Sequence, residues 1–231
     1  MLIGPQNLPE SIQRVRQRMA AAASRYGRNV DSVTLVAVGK GHPAETLKLA
    51  AHAGLEHFGE SYVKEALEKI ESLRDLELTW HFIGQVQANK TRPIAEAFAW
   101  VHGVDRLRIA QRLSDQRPYH APPLNVCLQV HVGTEESKAG VALDEVQALA
   151  AQVAVLPRLR LRGLMCLPPL ETELDRQRHW LAPVRRAFES LNASGAGLDT
   201  LSMGMSADLE AAIAEGATMV RIGTALFGAR P

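Results

Sequence analysis

Lys40 closes an apolar run, Val33 to Lys40 (VTLVAVGK). A strand that delivers one amine to its own C-terminal end is a natural way to present a nucleophile. Gly39 and Gly41 flank the lysine and leave it accessible, and the apolar strand before it offers the desolvation that lowers an amine's pKa toward reactivity. Near the other end of the chain, Ser202 to Ser206 (SMGMS) and Arg221 to Thr224 (RIGT) follow the last two expected strands. Both bring hydroxyl and glycine residues to helix starts, where phosphate groups are held. Ser202 and Thr224 offer hydroxyls, Gly204 and Gly223 let the backbone approach an anion, and Ser206, before Ala207 and Asp208, also reads as an N-cap. The three stretches together describe one site, in which Lys40 reacts with a carbonyl whose phosphate rests on two C-terminal turns. Taken singly, each is also what an ordinary surface lysine or strand-to-helix turn contains.

Arg221 shares strand parity with Gly223 and Met219, so the three point to one side. A guanidinium inside a barrel needs an acceptor, either a ligand's ring nitrogen or phosphate or a buried carboxylate. His81 lies near the end of the third strand, where it either reaches the mouth or is a hydrogen-bonded structural histidine, and His131 carries the same ambiguity. Glu60, Glu135 and Glu136 read as solvated or capping residues. No carboxylate pair suggests a general acid and base, so no catalytic residue is assigned. Cys127 and Cys166 each sit in an apolar run rather than a CxxC pair, which argues for buried thiols and against a disulfide framework or metal site.

The elements that must position these residues alternate. Leu8, Ile12, Val15, Met19 and Ala22 mark an opening amphipathic helix that ends near Gly27. Strands are expected at Val33 to Val38, around LEHFG, at Thr79 to Gly84, Trp100 to Val104, Leu124 to Val132 and Leu161 to Leu167, then within LDTLSM and ATMVRI, with helices between them. In Leu124 to Val132 the even positions are apolar, whereas Asn125, Cys127, Gln129 and His131 face a more polar interior. Trp180, Val184 and Phe188 repeat every four residues on a long helix that Pro183 kinks. About eight strand–helix units in 231 residues imply an α/β fold, a single (β/α)8 TIM-type barrel domain over 1–231, with the N-terminal helix filling the gap left after the last strand. An open doubly wound sheet is the alternative, and its dinucleotide-binding form lacks the required GxGxxG.

Composition narrows the function classes. With 26 basic against 25 acidic side chains and no long basic run, nucleic acid is a poor partner. The N-terminus turns polar before an apolar core of signal-peptide length develops, and no stretch reaches the length of a membrane span. A cytoplasmic location without membrane attachment is expected.

Seven stretches in order carry a more specific signal: LVAVGKGHP around Lys40, HFGESYVKE at His57 to Glu65, WHFIGQVQANK at Trp80 to Lys90, ESKAG at Glu136 to Gly140, RGLM at Arg162 to Met165, LSMGMSADLEAAI at Leu201 to Ile213 and the closing VRIGTALFGAR. Through essentially its whole length the chain resembles the pyridoxal 5'-phosphate (PLP) homeostasis protein family, small PLP-binding barrels of fold type III related to the N-terminal domain of alanine racemase. That resemblance implies an aldimine between Lys40 and the cofactor's aldehyde, with Ser202, Gly223 and Thr224 on the phosphate, Ser206 assisting, and Arg221 facing the pyridine nitrogen. Gly204 and His81 are further candidates for the site. The chain departs from the family pattern at Gly39, Gly41, His42, Ser61, Gln85, Val86, Ala88 and His131.

Three functions follow. The first is a PLP carrier that buffers or delivers the cofactor to PLP-dependent enzymes, met transiently by a monomer. The second is an amino-acid racemase, which needs a second base opposite the lysine; no second domain is expected after Gly228, and Tyr26, Tyr62 and Tyr119 have no obvious claim to that role. The third, a Schiff-base sugar-phosphate aldolase, fits Lys40 and the turns but not Arg221.

Overall fold

The computed structural model describes residues 7–133 and 139–230. Its eight strands are β1 (Thr34–Val38), β2 (His57–Glu60), β3 (Thr79–Phe82), β4 (Trp100–Val104), β5 (Leu124–Val130), β6 (Leu159–Cys166), β7 (Thr200–Ser202) and β8 (Met219–Ile222). They are all parallel and close in sequence order, β8 pairing back onto β1 with Val36 opposite Arg221. The helices are α1 (Leu8–Arg25), α2 (Ala44–His52), α3 (Val63–Ser72), α4 (Thr91–Ala97), α5 (Leu107–Gln116), α6 (Val146–Ala154), α7 (Leu174–Ala193), α8 (Leu209–Ala214) and α9 (Thr224–Phe227). None among the described residues is long and apolar enough to cross a membrane.

Strand parity sorts the core into two layers. Ala37, Phe58, Phe82, Val101, Leu128, Leu164, Leu201 and Val220 face the helices. Val36, Trp100, Cys127, Met165 and Met219 pack inside the barrel. The alternation expected in β5 is therefore real: Val126, Leu128 and Val130 join the outer layer and Cys127 the inner one. Both cysteines are buried and free, and burial pushes each thiol up to about 12. No group of residues able to hold a metal occurs among the described residues.

Because α9 is only one turn, β8 lacks a full covering helix. The apolar stripe of α1, Leu8, Ile12, Val15, Met19 and Ala22, is buried in the outer layer against α8, α9 and α2, and so fills the gap. On α7 the buried apolar residues are Leu181, Val184 and Leu191, whereas Trp180 and Phe188 are partly exposed. Steps of four residues drift around a 3.6-residue helix, so Trp180, Val184 and Phe188 cannot hold one line. The helix also runs on through Pro183.

Candidate functional site

The loop after β1 carries Lys40, and three neighbouring groups hold that loop. Gly39 N–H donates to Gly59 O at 3.0 Å, continuing the β1–β2 ladder, and Gly39 O accepts from the ammonium of Lys69 on α3 at 2.8 Å. Lys69 also binds Glu60 at 2.7 Å and Glu65 at 2.6 Å, and Glu65 accepts the Gly41 N–H at 2.6 Å. Glu60 is thus fully buried rather than solvated, and its Oε2 has no hydrogen-bond partner among the described residues. Burial outweighs the Lys69 ammonium and pushes this carboxyl up to about 7. The glycines do more than open access. A Cβ at Gly39 would lie 2.7 Å from Leu47 Cδ2 and 2.8 Å from Glu60 Oε1, and Gly41 adopts φ +76°.

Lys40 itself is half-buried, and its amine lies below its ordinary value. Desolvation is the main cause, Arg230 and Arg221 lower it further, and Glu60 partly opposes them. His42 is buried, with its ring 5.2 Å from that of Phe227.

The two C-terminal turns meet beside this loop. Ala225 N–H donates to Ser206 Oγ at 3.2 Å, joining the turn after β7 to the one after β8. Ser206 is therefore not the N-cap of α8; Asp208 holds that position, and its carboxylate accepts the Met205 N–H at 2.6 Å. Arg18 of α1 braces the same turn, donating to Ser206 O at 3.0 Å and gripping both oxygens of Glu210. Gly204 has φ +101°, its carbonyl accepts the Arg221 N–H, and a Cβ there would meet Ala212 Cβ at 2.6 Å. Gly223 lies against the end of β1, where a Cβ would be 3.4 Å from Val38. Thr224, exposed, opens α9. Lys40, Ser206, Gly223 and Thr224 are thus gathered at the C-terminal end of the barrel.

Arg221, Ser202 and His81 lie deeper. Arg221 is buried inside the barrel and donates to Ser202 Oγ at 2.7 Å and Cys166 O at 2.8 Å. Its direct acceptors are neutral rather than carboxylate, and burial lowers its pKa. Ser202 is fully buried and also pairs with His102 Nδ1 at 2.8 Å, so it sits behind Arg221 rather than on an open anion site. His81 uses both ring nitrogens, one toward His57 and one toward His102, each at 3.0 Å. His131 lies just past the end of β5 and is partly exposed, and Glu135 and Glu136 lie outside the described residues.

Sequence reasoning missed Lys69, Glu65, His57 and His102. The Glu65–Lys69 spacing of four on a helix was a readable pairing signal; the histidines gave none. A desolvated amine, hydroxyl-bearing turns and a buried cation form a donor set that fits a carbonyl compound with a phosphate and an aromatic ring nitrogen.

Comparison with known proteins bears on the same residues. Residues 11–231 match the family model of the alanine racemase N-terminal domain. The chain is 57% identical over 223 residues to the pyridoxal phosphate homeostasis protein of Pseudomonas aeruginosa, covering 96% of each chain. It is 51% identical to that of Escherichia coli, covering 97% of each. The structure of PipY from Synechococcus elongatus with PLP bound superposes with a TM-score of 0.81 at 38% identity, covering 93% of this chain and 100% of that one. With relatives this similar along almost its whole length, the chain belongs to the pyridoxal phosphate homeostasis protein family, built on the alanine racemase N-terminal barrel.

Proposed function

We propose that this chain binds PLP through Lys40 and takes part in cellular PLP homeostasis, buffering the cofactor or delivering it to PLP-dependent enzymes it meets transiently. The observation that carries the proposal is the placement of a desolvated lysine beside two joined hydroxyl-bearing turns, with a buried arginine below. The names of the relatives and the PLP-bound PipY structure support it. We place the work in the cytoplasm and expect a monomer to suffice for it.

Bound PLP supplies an aldehyde for an amine to capture and a pyridine ring able to accept electrons. The chain's own residues decide how much of that chemistry is used. Lys40, with its pKa lowered, is the nucleophile. Ser206, Gly223 and Thr224 hold the phosphate at the turns. Arg221 presents a donor-only cation to the ring nitrogen, which disfavours protonating that nitrogen and weakens the ring as an electron sink. Binding without extensive carbanion chemistry is the consequence.

The test is borohydride reduction of the chain mixed with PLP, followed by mass mapping of the modified peptide. Trapping on Lys40 and its loss in Lys40→Ala, with the fold retained, are the expected results. A Lys40→Ala adduct of undiminished yield would assign the anchor elsewhere. Stereospecific proton exchange on free amino acids by the loaded chain would replace the carrier reading with a racemase.

A further inference from the structure

Three buried side chains and one half-buried one, from four strands, make a continuous hydrogen-bonded line through the barrel. Ser202 on β7 meets His102 Nδ1 at 2.8 Å, His102 Nε2 meets His81 Nδ1 at 3.0 Å, and His81 Nε2 meets His57 Nδ1 at 3.0 Å. Its upper end is fixed to Arg221, whose Nη1 lies 2.7 Å from Ser202 Oγ. The lower end, His57, is the first residue of β2 and half-buried. It borders a cleft of about 500 Å3 at the strand starts, lined also by Arg16, Asp31, Thr34 and Glu56. The rings are packed firmly, with Trp100 stacked on His81 at 5.5 Å between centroids. This cleft lies at the opposite end of the barrel from the Lys40 loop, which follows the C-terminal end of β1.

Donor and acceptor rules fix the direction of this line. Arginine only donates, so Ser202 Oγ accepts from Arg221. Its hydroxyl hydrogen must then go to an acceptor, and His102 Nδ1 is the acceptor present. If His102 instead donated to Ser202, the serine hydrogen would be buried without a partner, and a buried donor left unpaired is costly. Once His102 accepts at Nδ1, it carries its hydrogen on Nε2 and donates to His81. By the same logic His81 donates to His57, which keeps its own Nε2–H for the open end. We infer that Ser202, His102, His81 and His57 form a one-directional relay of three Nε2–H imidazoles, and that this relay is a positioning device that holds Arg221 in place from the far end of the barrel.

The surroundings agree with neutral rings. Burial keeps His81 well below its ordinary pKa and lowers His102 to about 3, with the Arg221 cation adding to the effect. Glu56 faces His57 and partly opposes its desolvation. Cys127 and Cys166, the titratable groups nearest Arg221 from β5 and β6, remain thiols at neutral pH. The role of Arg221 toward a ring nitrogen rests on the proposed function; the relay does not, and it is tested on the unliganded chain.

The experiment is nitrogen-15 NMR of histidine- and arginine-labelled protein at neutral pH. All three rings are expected as neutral Nε2–H tautomers, with the Arg221 guanidinium hydrogens slow to exchange with solvent. His57→Leu removes the terminal acceptor, whereas His57→Asn keeps an amide oxygen near the position of Nδ1. His57→Leu should shift the His102 ring nitrogens, two residues along the relay, and speed Arg221 exchange several-fold; His57→Asn should restore both. Mixed tautomers, a cationic ring, or His102 and Arg221 signals indifferent to His57→Leu would each overturn the relay. Should His57→Leu fail to fold, the tautomers of the parent chain decide the matter alone.

Discussion

Lys69 shows how one residue can govern a neighbour's chemistry without touching a ligand. Its ammonium bridges Glu60, Glu65 and Gly39 O, and through them it fixes both peptides that flank Lys40. Breaking a buried ion pair by removing one partner typically costs about 3–5 kcal/mol, because a charge is left without compensation. Lys69→Met should fall near the lower end, since Glu60 can retain a proton in place of the lost cation. We expect a urea midpoint lowered by roughly 3 kcal/mol in free energy and slower trapping at Lys40; an unchanged trapping rate would show that the loop is held by other groups. The sequence hid this arrangement for a physical reason. Glu60 looked solvated because its burial depends on Lys69 of α3 closing over it, a contact nine residues away with no local pattern. Lys40 was legible because its position at a strand end, between glycines, is itself local.

Among the elements, β6 is the most constrained. Its pairing with β5 shifts by one residue between Val126 and Cys127, leaving Arg162 as the extra residue of a bulge. Arg162 uses that position to bind Asp199 and Asn125 and to lie 4.7 Å over the Trp100 ring. The next residue, Gly163, pairs with Thr200 so closely that a Cβ there would come within 1.6 Å of Thr200 O. Since that neighbour is backbone, no rotamer change relieves it. Gly163→Ala should destabilise the chain by about 3 kcal/mol or more, the upper range for overpacking, or prevent folding; a parental urea midpoint would show that β7 can move aside. Strand parity in β5 could be read directly because a period of two separates faces without ambiguity. The β6 bulge left no trace because it depends on a neighbouring strand's register. The histidine relay was equally silent: His57, His81, His102 and Ser202 come together only when parallel strands close into a barrel.

The whole molecule buries groups whose responses to pH oppose each other. His81 and His102 stay neutral inside, His102 down to about 3, whereas an unfolded histidine takes up its proton near its ordinary value of 6.5. Below that value the unfolded chain binds more protons than the folded one, so their contribution is intact above about 6.5 and is lost as pH falls toward 3. Glu60 acts the other way. Its carboxyl holds a proton up to about 7 when folded but releases it near 4.5 when unfolded, so its contribution is present at low pH and is lost as pH rises between those values. Glu65, Asp199 and Glu210 are held below their ordinary values by cations and add to the loss in acid. Burial also raises the Asp208 carboxyl, which opposes the histidines in the same sense, so Glu60→Gln removes one of two opposing slopes and leaves the others in place. Urea unfolding of the parent and Glu60→Gln chains between pH 7.5 and 3.5, roughly the span of the linked titrations, separates these contributions. The variant should lose stability more steeply from about pH 7 to 4.5 and run parallel to the parent below that. Parallel curves across the whole range would mean that Glu60 is ionised in the folded barrel. Lys69 would then compensate a buried carboxylate, and the Lys40 loop would rest on a full ion pair rather than on an ammonium bound to a neutral carboxyl.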